Sequence, residues 1–342
     1  MQATLSKFIN ANWYGSARWT YLLMPLSWLF ALLIALRLWI YKKGYLKSYK
    51  SSVPIIIIGN ISAGGTGKTP IVEWLASQLL KEGIQPGIVS RGYRGNAGKL
   101  PFFVTQHSDP SLSGDEPLML ARKTGCPVCV CIDRVAAVQQ LIKKGVDIIL
   151  ADDGLQHYSM QRDIEIAVVD GDRRFGNERL MPVGPLREPI NRLLDVDFVL
   201  VNGSGNGKPE VRFDSDIHFY FQAGKLRSLV SEEEIELEQF AGQRVWAVAG
   251  IGNPDRFARL LQSVGIIVDL VVLPDHGQTP LKDLRDKRTQ PILMTEKDAM
   301  KYLDNNIDDC WYLPVSIIFS KEDERRILKN VNNILTNRKT IE

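Results

Sequence analysis

"GNISAGGTGKTP", residues 59–70, decides how the rest of the chain reads. It follows "VPIIIIGN" (53–60), a run with the length and β-branching of a buried strand. It opens "GKTPIVEWLASQLLKEG" (67–83), whose apolar spacing predicts a helix closed by Gly83. Strand, glycine-rich turn and helix, in that order, form the context in which G-x-x-x-x-G-K-[ST] binds phosphate. Ser62 stands where that pattern has its first glycine. Gly64, Gly65 and Gly67 still free the backbone to turn several N–H groups onto an anion, and the helix N-terminus adds its positive end. The expected phosphate loop is Ser62, Ala63, Gly64, Gly65, Thr66, Gly67, Lys68 and Thr69. Lys68 would reach the β- and γ-phosphates, and the Thr69 hydroxyl would coordinate Mg²⁺.

Outward from the loop, short apolar runs alternate with helical patterns. "QPGIVSRG", "PVCVCI", "VDIILADD", "DIEIAVVD" and "VDFVLVN" read as strands. "DEPLMLARKTG" and "DRVAAVQQLIKKG" read as helices, the second with Asp133 as N-cap. Strands joined through helices imply right-handed crossovers and a mainly parallel sheet with helices on both faces. Cys126, Cys129 and Cys131 alternate within such a strand, with no further ligand nearby to complete a metal site, and are expected as buried thiols.

The rhythm changes at 203–240, where a loop precedes a hairpin-like alternation and an acidic stretch. A second α/β pattern then begins with "RVWAVAGIG", and the last residues suggest a terminal helix that frays. The fold class is therefore α/β, with two Rossmann-like lobes. Residues 51–208 form the nucleotide-binding P-loop lobe with a mainly parallel sheet, 209–240 a hairpin connector, and 241–342 a smaller C-terminal α/β lobe with its terminal helix.

Residues 1–50 differ from this body. They hold seven basic side chains and no acid, leaving 35 of the 42 basic groups against all 39 acidic ones. A mildly acidic body argues against a nucleic-acid partner. "WTYLLMPLSWLFALLIAL" (19–36) is uncharged, and as a helix it rises about 27 Å, just short of a hydrocarbon core of roughly 30 Å. Aromatic residues sit near both ends, where rings favour headgroups. The run reads as a membrane helix followed by a basic linker, against the alternative of a buried core helix.

Several stretches carry more chemistry than a bare nucleotide-binding core requires. "DIILADDG" (147–154) ends a strand in Asp152 and Asp153, where a carboxylate beside a phosphate loop holds Mg²⁺ directly or through water. "SRGYRG" (90–95) places Arg91 and Arg94 at a strand's C-terminal end, where ligands gather in such folds. "SGDEP" (113–117) offers Asp115 and Glu116, readable also as a helix cap. "PDHGQTP" (274–280) offers Asp275 and His276, readable also as a solvated loop. "GPLREP" and "TEKDAM" add charged sets in apolar surroundings.

Taken together, "GNISAGGTGKTP", "SRGYRG", "SGDEP", "DDGLQH", "GPLREP", "AGIGNPDRF", "PDHGQTP" and "TEKDA" resemble, in order, the tetraacyldisaccharide 4'-kinases of lipid A biosynthesis. That family's loop also lacks the first glycine. The resemblance implies a P-loop kinase at the cytoplasmic face of the bacterial inner membrane. It would use ATP and Mg²⁺ to phosphorylate the 4'-hydroxyl of a tetraacylated glucosamine disaccharide 1-phosphate, the lipid A precursor, giving the 1,4'-bisphosphate. It implies Lys68 on the phosphates, Thr69 with Asp152 and Asp153 on Mg²⁺, and Asp115 paired with His276 as the base. Arg91, Glu116, Arg187 and Glu188 match family positions at or near the active site, where they would serve the substrate. Many members carry a second histidine after the first; Gly277 stands there. No protein partner is implied. Two other readings compete: a membrane-associated P-loop ATPase of the partitioning or metallocentre-insertion kind, and a non-catalytic nucleotide-dependent membrane scaffold.

Overall fold

A 3₁₀ turn, Trp19–Leu23, runs into α1 (Met24–Lys42), with Pro25 in the first turn where a missing N–H leaves no bond unmade. The computed structural model describes residues 12–15, 19–93, 95–203, 216–273, 290–303 and 307–339. The apolar helix does not stop at Leu36. It continues past Arg37, so that Thr20–Lys42 is 23 residues long, enough by length and composition to cross a membrane. It is not a core helix: Leu22, Trp28, Leu29, Leu32 and Leu33 are exposed. Ser27 is its buried residue, with the hydroxyl donating to the Leu180 carbonyl at 3.0 Å.

β1 (Ile55–Gly59) is buried along its whole length, and its alternation decides the layering. Ile56 and Ile58 join a cluster with Ile71, Leu75 and Leu79 of α2 (Lys68–Lys81). Ile55 and Ile57 point the other way, into a second cluster. A strand buried on both faces needs helices on both, and each fully buried isoleucine contributes roughly 1.5–3 kcal/mol. Gly83, at φ +78°, follows α2 in the left-handed conformation that glycine adopts without strain.

β2 (Pro86–Ser90), β3 (Phe102–Val104), α3 (Asp115–Thr124) and β4 (Val128–Val130) follow in turn. α4 (Arg134–Lys143) starts at Asp133, whose carboxylate accepts from the N–H groups of Val135 and Ala136, as its N-cap reading requires. Ala137, Val138 and Leu141 of α4 complete the cluster beneath Ile55 and Ile57. β5 (Ile148–Asp152), β6 (Ile164–Asp170) and β7 (Phe198–Asn202) add parallel strands, β1 lying between β5 and β6. The four cysteines are buried free thiols.

Of the expected hairpin connector, residues 209–215 lie outside the described residues, and β8 (Asp216–Ala223) joins the large sheet as a parallel neighbour of β7. β9 (Leu226–Ser228) instead enters a second sheet, pairing with β10 (Glu234–Ile235). Within the connector, the antiparallel pair is β9 with β10 rather than β8 with β9. The alternation in this region is therefore that of two half-exposed strands in different sheets. β11 (Arg244–Ala249), α5 (Pro254–Ser263), β12 (Ile267–Val272), β13 (Ile292–Thr295) and β14 (Cys310–Leu313) complete the second unit.

The chain then returns. β15 (Val315–Phe319) pairs antiparallel with β8 at the edge of the nine-stranded sheet. α6 (Lys321–Lys339) does not stand free, because Ile327 and Val331, one turn apart, are buried in the larger cluster. Residues 315–339 thus pair with or pack on the first sheet rather than belong to the C-terminal lobe.

Candidate functional site

The phosphate loop is fixed from both ends. Ala63 donates its N–H to the Pro185 carbonyl at 2.7 Å, and Arg187 donates to the Ile61 carbonyl at 2.7 Å. Ser62 and Leu186 form the β-bridge between these bonds. The position that lacks its glycine is extended, so serine fits it without strain. Further on, Gly64 and Gly67 have φ +105° and +97°, where glycine is required. Asn60 donates to the Gly64 carbonyl at 3.2 Å, and Asn202 to the Thr66 carbonyl at 3.3 Å. No side chain caps α2 at Gly67, which leaves its positive end to a ligand.

Parallel pairing of β1 with β5 sets Ile58 opposite Asp152 and so brings the loop beside the two aspartates. Their environments differ. Asp153, at φ +53°, faces Lys68 Nζ at 3.3 Å and Arg187 Nη1 at 3.2 Å. Burial pushes its carboxyl up, but the Lys68, Arg187 and Arg134 charges outweigh burial and hold it well below the usual range. Asp152 is buried, and its Oδ1 has no hydrogen-bond partner in the structure. Burial, reinforced by the charge of Glu116, pushes it up to about 7. A buried carboxylate oxygen left without a partner, at the end of the strand next to the loop's own, is a donor suited to a hard divalent cation, which the Thr69 hydroxyl of the loop could share.

Arg134 braces this corner from below, donating from Nη1 to the Asp152 carbonyl at 2.7 Å and from Nη2 to that of Asp153 at 3.3 Å. His157 is held neutral: burial first, then Arg134, Arg37 and Arg91, bring it down to about 4.

Two of the glycine-containing motifs come together. Asn96 of the segment after "SRGYRG" donates to the Ser111 carbonyl at 2.9 Å, and a Cβ on Gly114 would lie 3.1 Å from the Tyr93 carbonyl. Asp115 is the first residue of α3 and does not cap it; Gly114 is the cap. Its buried carboxylate lies 3.7 Å from Lys301 Nζ. Glu116 lies on the wall of the cleft, paired with Lys297 at 2.9 Å. Arg91 is exposed at the end of β2. Arg94, Asp275, His276 and Gly277 lie outside the described residues, so the Asp115–His276 pairing stays an expectation from sequence.

Arg187 and Glu188 separate in role. Arg187 touches Asp153, whereas Glu188 is buried and accepts from Gln156 at 2.8 Å and from the Tyr158 hydroxyl. Each Glu188 oxygen thus accepts a hydrogen bond inside the protein, bracing the strap that carries Arg187.

A cleft of about 420 Å³ opens between the two sheets. Gly65–Thr69 form one wall, with Phe221, Ile251, Phe257, Leu260 and Leu313 as apolar lining. The second lobe touches the phosphate loop directly. Arg173 donates to the Gly65 carbonyl and to the Gly252 carbonyl, both at 2.7 Å. Asp170 holds Arg173 at 3.1 Å and Arg256 at 3.0 Å, tying β6 to α5.

Residues 19–333 match the tetraacyldisaccharide-1-P 4'-kinase (LpxK) family. The chain belongs to that family. Family relatives named tetraacyldisaccharide 4'-kinase include one from Halorhodospira halophila, 48% identical, with 86% of this chain and 88% of that protein covered. Another, from Methylobacillus flagellatus, is 41% identical, covering 98% and 99%. A solved structure described as the "apo" form of LpxK from Aquifex aeolicus in complex with ATP is 28% identical. It covers 92% of this chain and 99% of that one, with a TM-score of 0.75.

Sequence reasoning missed Arg134, Asp170, Arg173, Asn202 and Arg256 at this family site. "DGDRR" (170–174), a charged run ending a wholly buried strand, carried a signal. Arg134 carried none, since an arginine after a capping aspartate is an ordinary helix start.

Proposed function

We propose that this chain transfers the γ-phosphoryl group of ATP to the 4'-hydroxyl of a tetraacylated glucosamine disaccharide 1-phosphate. The 4'-oxygen attacks the γ-phosphorus, the bond from that phosphorus to the β,γ-bridging oxygen breaks, and ADP leaves. The hydroxyl proton passes to His276, which Asp115 orients and supports. The observation that carries this reading is the contact of Lys68, on the loop that walls the cleft, with Asp153 at 3.3 Å, next to the unpartnered Asp152, in a chain of this family.

Each residue has a distinct task. The loop amides and the α2 N-terminus hold the phosphates, and Lys68, set by Asp153, follows the charge of the moving phosphoryl. Asp152 and Thr69 would hold Mg²⁺, with Asp153 kept for Lys68; the resolution of the aspartate pair rests on the unmatched Asp152 oxygen. When bound, Mg²⁺ neutralises developing charge on the β- and γ-oxygens. Arg91, Glu116, Arg187 and Glu188 match family positions at or near the active site and would serve contact with the phosphorylated sugar.

The exposed apolar α1 supports placement at the inner membrane, where an acylated acceptor resides. The basic residues from Arg37 to Lys50 suit its anionic cytoplasmic face. Family membership favours this kinase over a partitioning-type ATPase or a silent scaffold. The test is incubation of the purified protein with ATP, Mg²⁺ and the disaccharide 1-phosphate in detergent. A product heavier by one phosphate, placed at the 4'-position by NMR, supports the reading; ATP hydrolysis without such a product refutes it.

A further inference from the structure

"TEKDAM" stands out in the sequence; Thr295, Glu296 and Lys297 line the cleft, whereas Asp298 and Lys301 are buried behind it. Asp298, fully buried, lies in the one-turn helix Glu296–Ala299 after β13 and organises three donors. Its Oδ2 accepts from the Gly250 N–H at 2.7 Å and the Thr295 hydroxyl at 2.6 Å, and its Oδ1 faces Lys301 Nζ at 2.7 Å. Gly250 is needed there: a Cβ would meet Asp298 Oδ1 at 2.6 Å. The Lys301 side chain is 2% exposed, and its ammonium reaches across the lobe boundary to 3.7 Å from Asp115 Oδ2.

A buried ammonium between two carboxylates is unusual and acts over short range in low dielectric. Here the shorter bond pins it to Asp298, so its position is set by the second lobe while its remaining field falls on a carboxylate of the first. Lobe attachment alone does not require this, because Asp170, Arg173 and Arg256 already join the lobes at another corner.

We propose that Lys301, held by Asp298, is a positioning residue for the Asp115 carboxylate, through which the second lobe sets the base of the phosphoryl transfer. The inference rests on the reading of Asp115 given above. Among the described residues, the other charged groups of this corner include Glu116 on α3, its partner Lys297, Glu296 and Glu73 bound to Lys123, and Asp152 across the site. None of them changes in the variants below.

The experiment compares wild type, Lys301→Met, Lys301→Arg and Asp115→Asn by steady-state kinetics across pH, with thermal unfolding alongside. Lys301→Met is expected to lower kcat at least tenfold with KM for ATP within about twofold. It should also move the acid limb of the pH profile up by roughly one unit, because a cation beside the base system is gone. Lys301→Arg, which keeps the charge, should restore the limb to the wild-type pH. If Lys301→Met does not fold, the pair Asp298→Asn with Lys301→Met, which neutralises both partners together, carries the same readouts. An acid limb that stays in place in a folded charge-free variant overturns the proposal. Wild-type turnover in Asp115→Asn would instead overturn the reading of the base itself.

Discussion

A Cβ placed on Gly252 would stand 2.4 Å from the backbone nitrogen of Gly65. The second lobe therefore presses its own turn, backbone to backbone, against the glycines that receive phosphate. Gly252→Ala must displace one segment or the other. Overpacking of this kind costs about 1–3 kcal/mol, and a shift of the loop should lower kcat/KM for ATP by roughly tenfold. Initial rates with ATP varied test this, and a KM and kcat within twofold of wild type would show that the contact is dispensable.

Asp152 makes a signed prediction about pH. Its folded-state pKa, raised by burial to about 7, exceeds the unfolded value of about 3.9. The folded state then binds more protons between those values, so stability falls as pH rises from about 4 to 7, by at most about 4 kcal/mol. Urea unfolding in EDTA should show that loss in wild type and not in Asp152→Asn, which should be the more stable protein at pH 8 and similar at pH 4. Parallel pH dependences in the two proteins would contradict the assignment. Adding Mg²⁺ with ATP at pH 8 should stabilise wild type more than the variant.

The lobe junction hangs on Asp170, whose side chain is 3% exposed and holds two arginines. Asp170→Ala removes the carboxylate the two share, while Arg256 keeps Asp172 at 3.0 Å and Arg173 keeps the Gly65 and Gly252 carbonyls. The cost should therefore lie below the ~3–5 kcal/mol of a buried pair broken from one side. Denaturant titration measures it; a cost below about 1 kcal/mol would mean solvent replaces the carboxylate readily.

Much of this was legible in the sequence because it follows from local pattern. "IIIIG" before a glycine loop fixes a central strand buried on two faces, and Asp133 and Gly83 mark helix ends that the structure keeps. Asp152 and Asp153 were found as a pair by position after a strand. Their division of labour was not, because it depends on Lys68 and Arg187 approaching from elsewhere in the chain. Glu188 shows the same limit: "REP" gives two adjacent charges, and only three-dimensional packing turns one to Asp153 and the other into the protein. The pairing of the connector strands was not legible for a related reason. Alternation shows that a strand is half exposed and does not name its partner, and β8 and β9 found partners in different sheets.

α1 should be separable from the folding of the body. Leu29 and Leu33, four residues apart, are exposed. Replacing both by glutamate should change unfolding free energy by less than about 0.5 kcal/mol while releasing the protein from vesicles. Flotation with anionic liposomes reads the partition, and undiminished binding would place the membrane contact elsewhere.

The most direct test of the account is transfer of label from [γ-³²P]ATP to the tetraacylated disaccharide 1-phosphate in mixed micelles, comparing wild type with Asp115→Ala. The account predicts labelled bisphosphorylated lipid from wild type, and a loss of at least a hundredfold in Asp115→Ala with nucleotide binding retained. Equal labelling by both proteins, or label appearing in wild type only as inorganic phosphate, would contradict it.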